Sequence, residues 1–446
     1  MNKNKDYLIT EKPSRALFAF ALPMIIGNLF QQAYTIVDSA IVGHYVGETA
    51  LAAVGASYAL TSIFICVAIG GGIGASVIIS QHFGGHAYSR MKTSIRTAML
   101  SFLLISLMLG GIGLCFSRQI MEALNTPADA MDIAVIYLNI YFYGLPFLFM
   151  YNILSSMFNA LGESRIPLYL LIFSSVLNIF LDLYMVATLH LGVAGAAYAT
   201  FIAQGISAVC SFLIFLHTLR RLDGKAETWF SKAEFSSMSR IALPSILQQS
   251  TVSIGMMLVQ SVVNGFGTQI LAGFSAGMRI ESLCVVPMAA IGNALSSYTA
   301  QNIGAEKHER ISLGYRTANI MVAITAIILC LFLELLHRPL IALFLDGAPS
   351  AQTVATGEGY LRFIGFFFCM IGFKMAVDGI LRGAGAVKVF TIANLVNLGL
   401  RVLIAKLGAP VYGIAMIWYA VPLGWLANFL ISYGYYRTGK WKTIRR

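Results

Sequence analysis

The sequence predicts an all-α integral membrane protein, with twelve transmembrane helices in two six-helix bundles related by a pseudo-two-fold axis along the membrane normal. Three observations predict it. The chain is 58% hydrophobic and only 11% charged, whereas a soluble domain carries about 25% charged residues. Its apolar residues gather in runs near or above the roughly 20 residues that a helix needs to cross a bilayer. The second half of the chain repeats the first. A net charge of +11 would raise nucleic acid as a partner in a soluble protein. Here the cations cluster in short loops between apolar runs, so the expected partner is the lipid bilayer and not nucleic acid.

Taken in order, the spans are expected at 15–42, 50–80, 93–116, 131–160, 166–189, 192–219, 238–264, 270–300, 313–336, 354–381, 386–407 and 411–436. Several are longer than one crossing requires, which implies tilt, kinks or protruding ends. Lys3, Lys5, Lys12 and Arg15 precede a run too long for a cleavable signal core, so it reads as an uncleaved first helix. Of the 30 Lys and Arg, most lie at the termini and in the loops that share their side, whereas the opposite loops hold only Arg118, Arg338 and Lys406. Both termini are therefore expected to be cytoplasmic, in a multi-pass protein of the cell (inner) membrane. Cysteines 66, 115, 210, 284, 330 and 369 all lie in apolar stretches without CxxC spacing. They read as small buried side chains, with no disulfide framework and no metal site.

The widest internal basic loop, 220–237, divides the spans six and six, giving expected lobes of 1–219 and 238–446. At an offset of 220, Gly72 aligns with Gly292, Ser76 with Ser296, Gln81 with Gln301 and Gly84 with Gly304, and Arg96-Thr97-Ala98 recurs as Arg316-Thr317-Ala318. Ala21-Leu22-Pro23 recurs as Ala242-Leu243-Pro244. An even number of spans per repeat places both halves the same way up, a transporter plan with a cleft between two bundles.

The chemistry concentrates in the stretch from Pro23 to Gly55. Asn28, Gln31, Thr35 and Asp38 form a polar stripe on one side of an apolar helix. A carboxylate inside a span costs about 2.5 to 3.5 kcal/mol on insertion scales, so Asp38 is a functional candidate; the alternative is a polar group that merely glues two helices. Span 5 carries Asp182 with Asn178 one turn earlier, and Thr200 and Gln204 of span 6 can approach the same layer. No basic residue in the first six spans can neutralise the two acids. Both cannot stay charged cheaply in a low-dielectric bundle, so the least they can do is hold one proton or one small cation, unless they form an inert hydrogen-bonded pair. Pro23 marks a place where helix 1 can kink.

The pair belongs to the first half alone, because Asp38 falls opposite Leu258 and Asp182 opposite Arg401, while Asn178 meets Asn397. The second half has Arg279 and Glu281 in span 8, then Lys374 and Asp378 in span 10. Lys374 and Asp378, one turn apart, read as a structural pair. Glu281 stands open between substrate contact and structural pairing. The GGGIGA run at 70–75 lies inside span 2 with no preceding strand and no Lys-Ser after it, so it reads as close helix packing rather than a phosphate loop. Aromatic side chains such as Tyr34 suit flat apolar cations where they face a cleft.

The VDSAIVGHYVGETALAAVG segment after Pro23, ALGESRIP at the end of span 4, NIFLD in span 5, QNIGA at 301–305 and LRGAG at 381–385 resemble the multidrug and toxic compound extrusion (MATE) transporters. The likeness covers nearly the whole chain and is closest to the bacterial and archaeal DNA-damage-inducible (DinF-like) branch. It implies a cation-coupling site at Asp38, Asp182, Asn178 and Thr200, with Asn152 another polar position of the same lobe. The sodium-coupled branch places a glutamate in span 7, where this chain has Gln248 and Gln249, which weakens a sodium site in the C-terminal lobe. The expected function is then a secondary antiporter, no enzyme and needing no cofactor beyond a coupling H⁺ or Na⁺, that exports organic cationic amphiphiles or other drug-like substrates as a monomer. Gln31, Tyr34, Asn152, Gln204 and Glu281 are the candidate cleft residues. The alternative is a flippase for a lipid-linked precursor, which an Arg- and Lys-rich cleft would favour. An embedded enzyme would need a nucleophile or metal cluster that the spans lack.

Overall fold

A computed structural model describes residues 6–46, 48–124, 126–345 and 349–443; Lys3, Lys5 and Gly47 lie outside the described residues. Helix dominates and no strand occurs among the described residues, as a bilayer requires of a chain that must satisfy its own backbone. A short α1 (Tyr7–Thr10) precedes α2 (Pro13–Val46), α3 (Glu48–Gly84), α4 (Tyr88–Ala123), α5 (Ala128–Ala160), α6 (Arg165–Asp182) and α7 (Gly192–Arg220). The second series is α8 (Lys232–Asn264), α9 (Thr268–Gly304), α10 (His308–Leu343), α11 (Ala351–Gly365), α12 (Phe368–Gly383), α13 (Val387–Tyr412) and α14 (Ala415–Arg437). Among the described residues eleven helices are long and apolar enough to cross a membrane, and the number rises to twelve with α11 and α12 taken together as one bent span.

The duplication is written in the backbone. Left-handed residues punctuate both halves at matching places, His86 (φ 54°) with Glu306 (φ 58°), Gly162 with Gly385, and Gly192 with Gly413. Such residues stop a helix because the following amides turn away from its axis.

Two local departures interrupt the expected helices. The tenth span is broken rather than continuous: α11 and α12 bend by 52°. Shorter three-residue bonds, Phe367 N to Ile364 O and Met370 N to Phe367 O, replace the regular ladder there. Span 5 turns from α to π directly after Asp182, over Leu183–Thr188, with Leu189 N bonded five residues back to Tyr184 O at 3.0 Å.

The division into compact units also differs from the expected lobes. One unit comprises Ile26–Ile246; the other comprises Met1–Ile25 with Leu247–Arg446. The boundaries fall inside α2 and α8, two residues beyond Pro23 and Pro244, so each unit holds the opening turns of a helix from the other repeat. Side-chain contacts explain the exchange. In the first unit Gly70 and Gly74 of α3 admit α8 so closely that a Cβ at either would lie 2.5 Å from the Ile246 backbone nitrogen or 2.6 Å from the Ala242 Cβ. The GGGIGA run is thus a packing surface, driven by the close approach that small residues allow in lipid. Glu234, at the start of α8, accepts from Ser94 Oγ at 2.7 Å and lies 3.1 Å from His82 Nε2. In the second unit Asn302, at the repeat position of His82, donates from Nδ2 to Leu8 O at 3.1 Å, and Lys307 Nζ donates to Ile9 O at 3.0 Å. Phe20 and Ala21 of α2 are buried in that unit's core beside Phe274, Tyr298 and Tyr360.

Candidate functional site

The site in the Ile26–Ile246 unit is built from two pairs of residues one turn apart. α2 projects Tyr34 and Asp38; α6 projects Asn178 and Asp182, a spacing that puts each pair on one helix face. The two helices meet at Gly27, where a Cβ would lie in ordinary contact with Leu168 and Leu171 of α6, 3.6 and 3.7 Å away. Asn178 is the hub. Its amide orientation follows from the network, because only with Nδ2 toward the acids do all its atoms meet complementary partners. So placed, Nδ2 donates to Asp182 Oδ2 at 2.8 Å and to Tyr34 Oη at 2.7 Å, while Oδ1 accepts from Thr200 N at 3.0 Å and Thr200 Oγ1 at 3.3 Å.

Asp182 is 0% exposed and Asn178 2% exposed, so neither relies on water. The Asp38 and Asp182 carboxyl groups lie within hydrogen-bonding reach of each other, and no cation among the described residues acts on either. Asp38 Oδ1 and Asp182 Oδ1 are buried without a hydrogen-bond partner. Two carboxylates this close repel when both are ionised; one shared proton, or one small cation between the free oxygens, turns that repulsion into attraction. The arrangement has the chemistry to accept one positive charge, and its neutral Asn, Thr and Tyr groups fix geometry without cancelling charge.

The other candidates divide. Gln204 and Thr200 line one small cavity of about 20 Å³ with Tyr137 and Tyr141 of α5, so Gln204 borders the acid pair's surroundings. Asn152 instead donates to Leu148 O of its own helix at 2.8 Å, and Gln31 is exposed; among the described contacts neither side chain joins the acid cluster. Pro23 lies inside a continuous α2. Tyr137 feels both acids electrostatically and was missed, although its i, i+4 spacing to Tyr141 signalled an aromatic face. The π turn that begins directly after Asp182 left no signal in LYMVAT.

Glu281 belongs to the other unit, where it accepts from Tyr360 Oη and interacts electrostatically with Arg401. It lies outside the acid-pair cluster, with its own partners. Lys374 Nζ lies 3.0 Å from Asp378 Oδ2 with both side chains buried, and donates to Asn394 Oδ1 at 3.2 Å; Ser432 Oγ donates to Asp378 Oδ1 at 2.8 Å. One turn on, Arg382 donates to Asn293 Oδ1 at 2.6 Å and Ser296 Oγ at 3.3 Å.

A family model described as MatE matches residues 23–184 and again 244–407, one match per repeat. "Probable multidrug resistance protein YpnP" of Bacillus subtilis (strain 168) is 30% identical over 434 residues, covering 97% of this chain and 96% of its own. An "FAD transporter" of Shewanella oneidensis is 23% identical, covering 94% of each chain. A solved structure of an outward-facing multidrug resistance MATE family transporter of the MOP superfamily superposes with a TM-score of 0.90 at 23% identity, covering 99% of both chains.

Proposed function

Since this chain belongs to the MatE family of multidrug efflux transporters, we propose that it is an antiporter exporting organic cationic amphiphiles against an inward flow of H⁺ or Na⁺, through Asp38 and Asp182. The observation that carries this reading is the acid pair, Asp182 fully buried and Asp38 half-buried, with no compensating cation among the described residues. The residue set Asp38, Asp182, Asn178 and Thr200 supports placing the chain in the DNA-damage-inducible branch. The loop distribution of Lys and Arg supports cytoplasmic termini, in a monomer of the cell membrane.

In this mechanism an incoming cation relieves the repulsion between the carboxyl groups and lets α2 repack against α6. The α2 segment that carries Tyr34 and Asp38 begins just beyond Pro23, whose missing N–H leaves a place to bend. Repacking closes the polar layer of Tyr34, Gln204 and Thr200 to cargo and discharges it. Release of the ion on the other side restores repulsion and reopens the layer. Coupling follows because ion and substrate favour different arrangements of one helix.

The test is dye efflux from proteoliposomes under an imposed pH step or sodium step, with cationic dyes and FAD as alternative cargo. Wild type is expected to export cationic dye under one gradient. Asp38→Asn and Asp182→Asn imitate the neutral state, so each is expected to fall to the level of protein-free liposomes. Export by Asp38→Asn at the wild-type rate with the same ion dependence overturns the mechanism, and export of FAD alone overturns the cationic cargo.

A further inference from the structure

A groove of about 660 Å³ runs between α4 and α7 of the Ile26–Ile246 unit, away from the acid pair, and is closed at one end by the loop 221–231. Its chemistry is polarised. Lys92, Arg96, Arg220 and Trp229 line the loop end; Met99, Leu103, Phe147 and Val209 line the rest. Among the described residues no carboxylate lines it.

The loop is built onto α4 rather than strung between domains. Lys92 Nζ donates to Leu222 O at 2.7 Å and Gly224 O at 2.8 Å, and Thr93 and Thr97 accept from the Glu227 and Ser231 amides at 3.0 Å each. This strap holds Trp229 under the Arg96 guanidinium, 4.7 Å from the ring centroid. Lys92 is committed to the loop, so Arg96 and Arg220, both exposed, are the cations left to meet a ligand. Trp229 is 74% exposed, the habit of an amphipathic ring seated at headgroup level.

Length and openness identify the occupant. From Arg220 to Val209 the groove follows α7 for about 16 Å at 1.5 Å per residue, close to the roughly 15 Å of one leaflet of a 30 Å core. Leu100, Leu103 and Val209 are exposed along it, so it opens sideways on an apolar helix surface. Two cations at headgroup depth exclude a cationic drug and fit a phosphodiester. We propose that this groove holds one anionic glycerophospholipid of the leaflet on the side of loop 221–231, its phosphate against Arg96 and Arg220 and an acyl chain along Met99, Leu103, Phe147 and Val209. The site depends on neither the acid pair nor the transport direction.

Native mass spectrometry of the full-length protein, released from bilayers of phosphatidylglycerol and phosphatidylcholine, tests this. Wild type is expected to retain one phosphatidylglycerol in preference to phosphatidylcholine. Retention is expected to drop about fivefold for each cation removed in Arg96→Gln and Arg220→Gln, the order that one basic residue contributes at an anionic lipid surface. Leu103→Trp, which fills the groove and keeps both arginines, is expected to lose the lipid too, whereas Arg437→Gln at the end of α14 retains it. Equal retention of the two lipids by wild type overturns the proposal, as does wild-type retention by the double arginine variant or by Leu103→Trp. Displacement of the lipid by inorganic phosphate alone overturns it in favour of a free-anion site.

Discussion

The two compact units carry the same helical frame and opposite electrostatics. In Ile26–Ile246 the acids Asp38 and Asp182 answer to each other and to neutral Asn178, Thr200 and Tyr34. In the other unit Asp378 has Lys374 at 3.0 Å, and Glu281 has Tyr360 and the field of Arg401, the residue that stands where the first repeat has Asp182. The duplication gives two scaffolds, and among the described residues the acid pair without a cation lies in the first. A buried acid without a cation is expensive, which is why the uncompensated pair is the place to look for function; the acids of the other unit have partners that account for them. Fold alone does not assign the chemistry, since the repeated frame holds both solutions.

The sharpest way to break this comparison is to make the same change in both units. Asp378→Leu strands Lys374 and leaves Arg382 without its nearest acid, and loss of one partner of a buried pair costs about 3–5 kcal/mol. Asp182→Leu removes a buried charge that had no cation, so its thermal unfolding midpoint is expected to stay near wild type while transport is lost. Lys374→Met combined with Asp378→Leu is expected to recover most of the stability lost in Asp378→Leu alone. Unfolding midpoints of the purified variants in one detergent decide it: equal loss in Asp378→Leu and Asp182→Leu would erase the distinction between the units.

How far this was legible in the sequence depends on the range of each interaction. Spans, duplication and the acid pair were readable, because insertion into lipid is decided locally by hydropathy, and a carboxylate in a span stands out against its apolar neighbours. Glu281 was left open since its partner Tyr360 lies 79 residues away. The break between α11 and α12 falls in Phe366-Phe367-Phe368, where hydropathy runs on without a proline to mark it. The exchange of the opening turns of α2 and α8 rests on contacts such as Asn302 to Leu8, 294 residues apart, which no local pattern encodes. Loop 220–237 read as a boundary because it is basic and polar, yet its amides are taken up by Thr93 and Thr97 of α4.

A second, smaller effect is expected at the anchors of that exchange. Asn302 is 0% exposed, donates to Leu8 O and Tyr298 O, and accepts from Arg310 Nε at 3.1 Å. Asn302→Ala leaves Leu8 O only the longer bond from Arg310 Nη2 at 3.4 Å and takes the acceptor from Arg310 Nε, at about 1–3 kcal/mol for a stranded group. Hydrogen exchange is expected to rise first in α1 and the opening turns of α2, with α3 to α7 unchanged. Uniform loss of protection across both units would mean that Asn302 supports the whole chain and not one junction.

The smallest effect is expected at the matching anchor of the other unit. Glu234 meets Ser94 Oγ and His82 Nε2 near the end of α3, with 11% and 20% of the Glu and His side chains exposed. Water reaches this pair, and Glu234→Gln keeps an oxygen to accept from Ser94 while losing only the charge. The cost is then about 0.5–1 kcal/mol, the range of a partly solvated ion pair. It is expected to appear as slightly faster exchange in the opening turns of α8 and to shrink at high salt, which leaves Asn302→Ala unaffected because that anchor bonds chiefly to backbone carbonyls. A Glu234→Gln loss as large as that of Asn302→Ala, and equally insensitive to salt, would make the two junctions equivalent and confine the difference between the units to their buried charges.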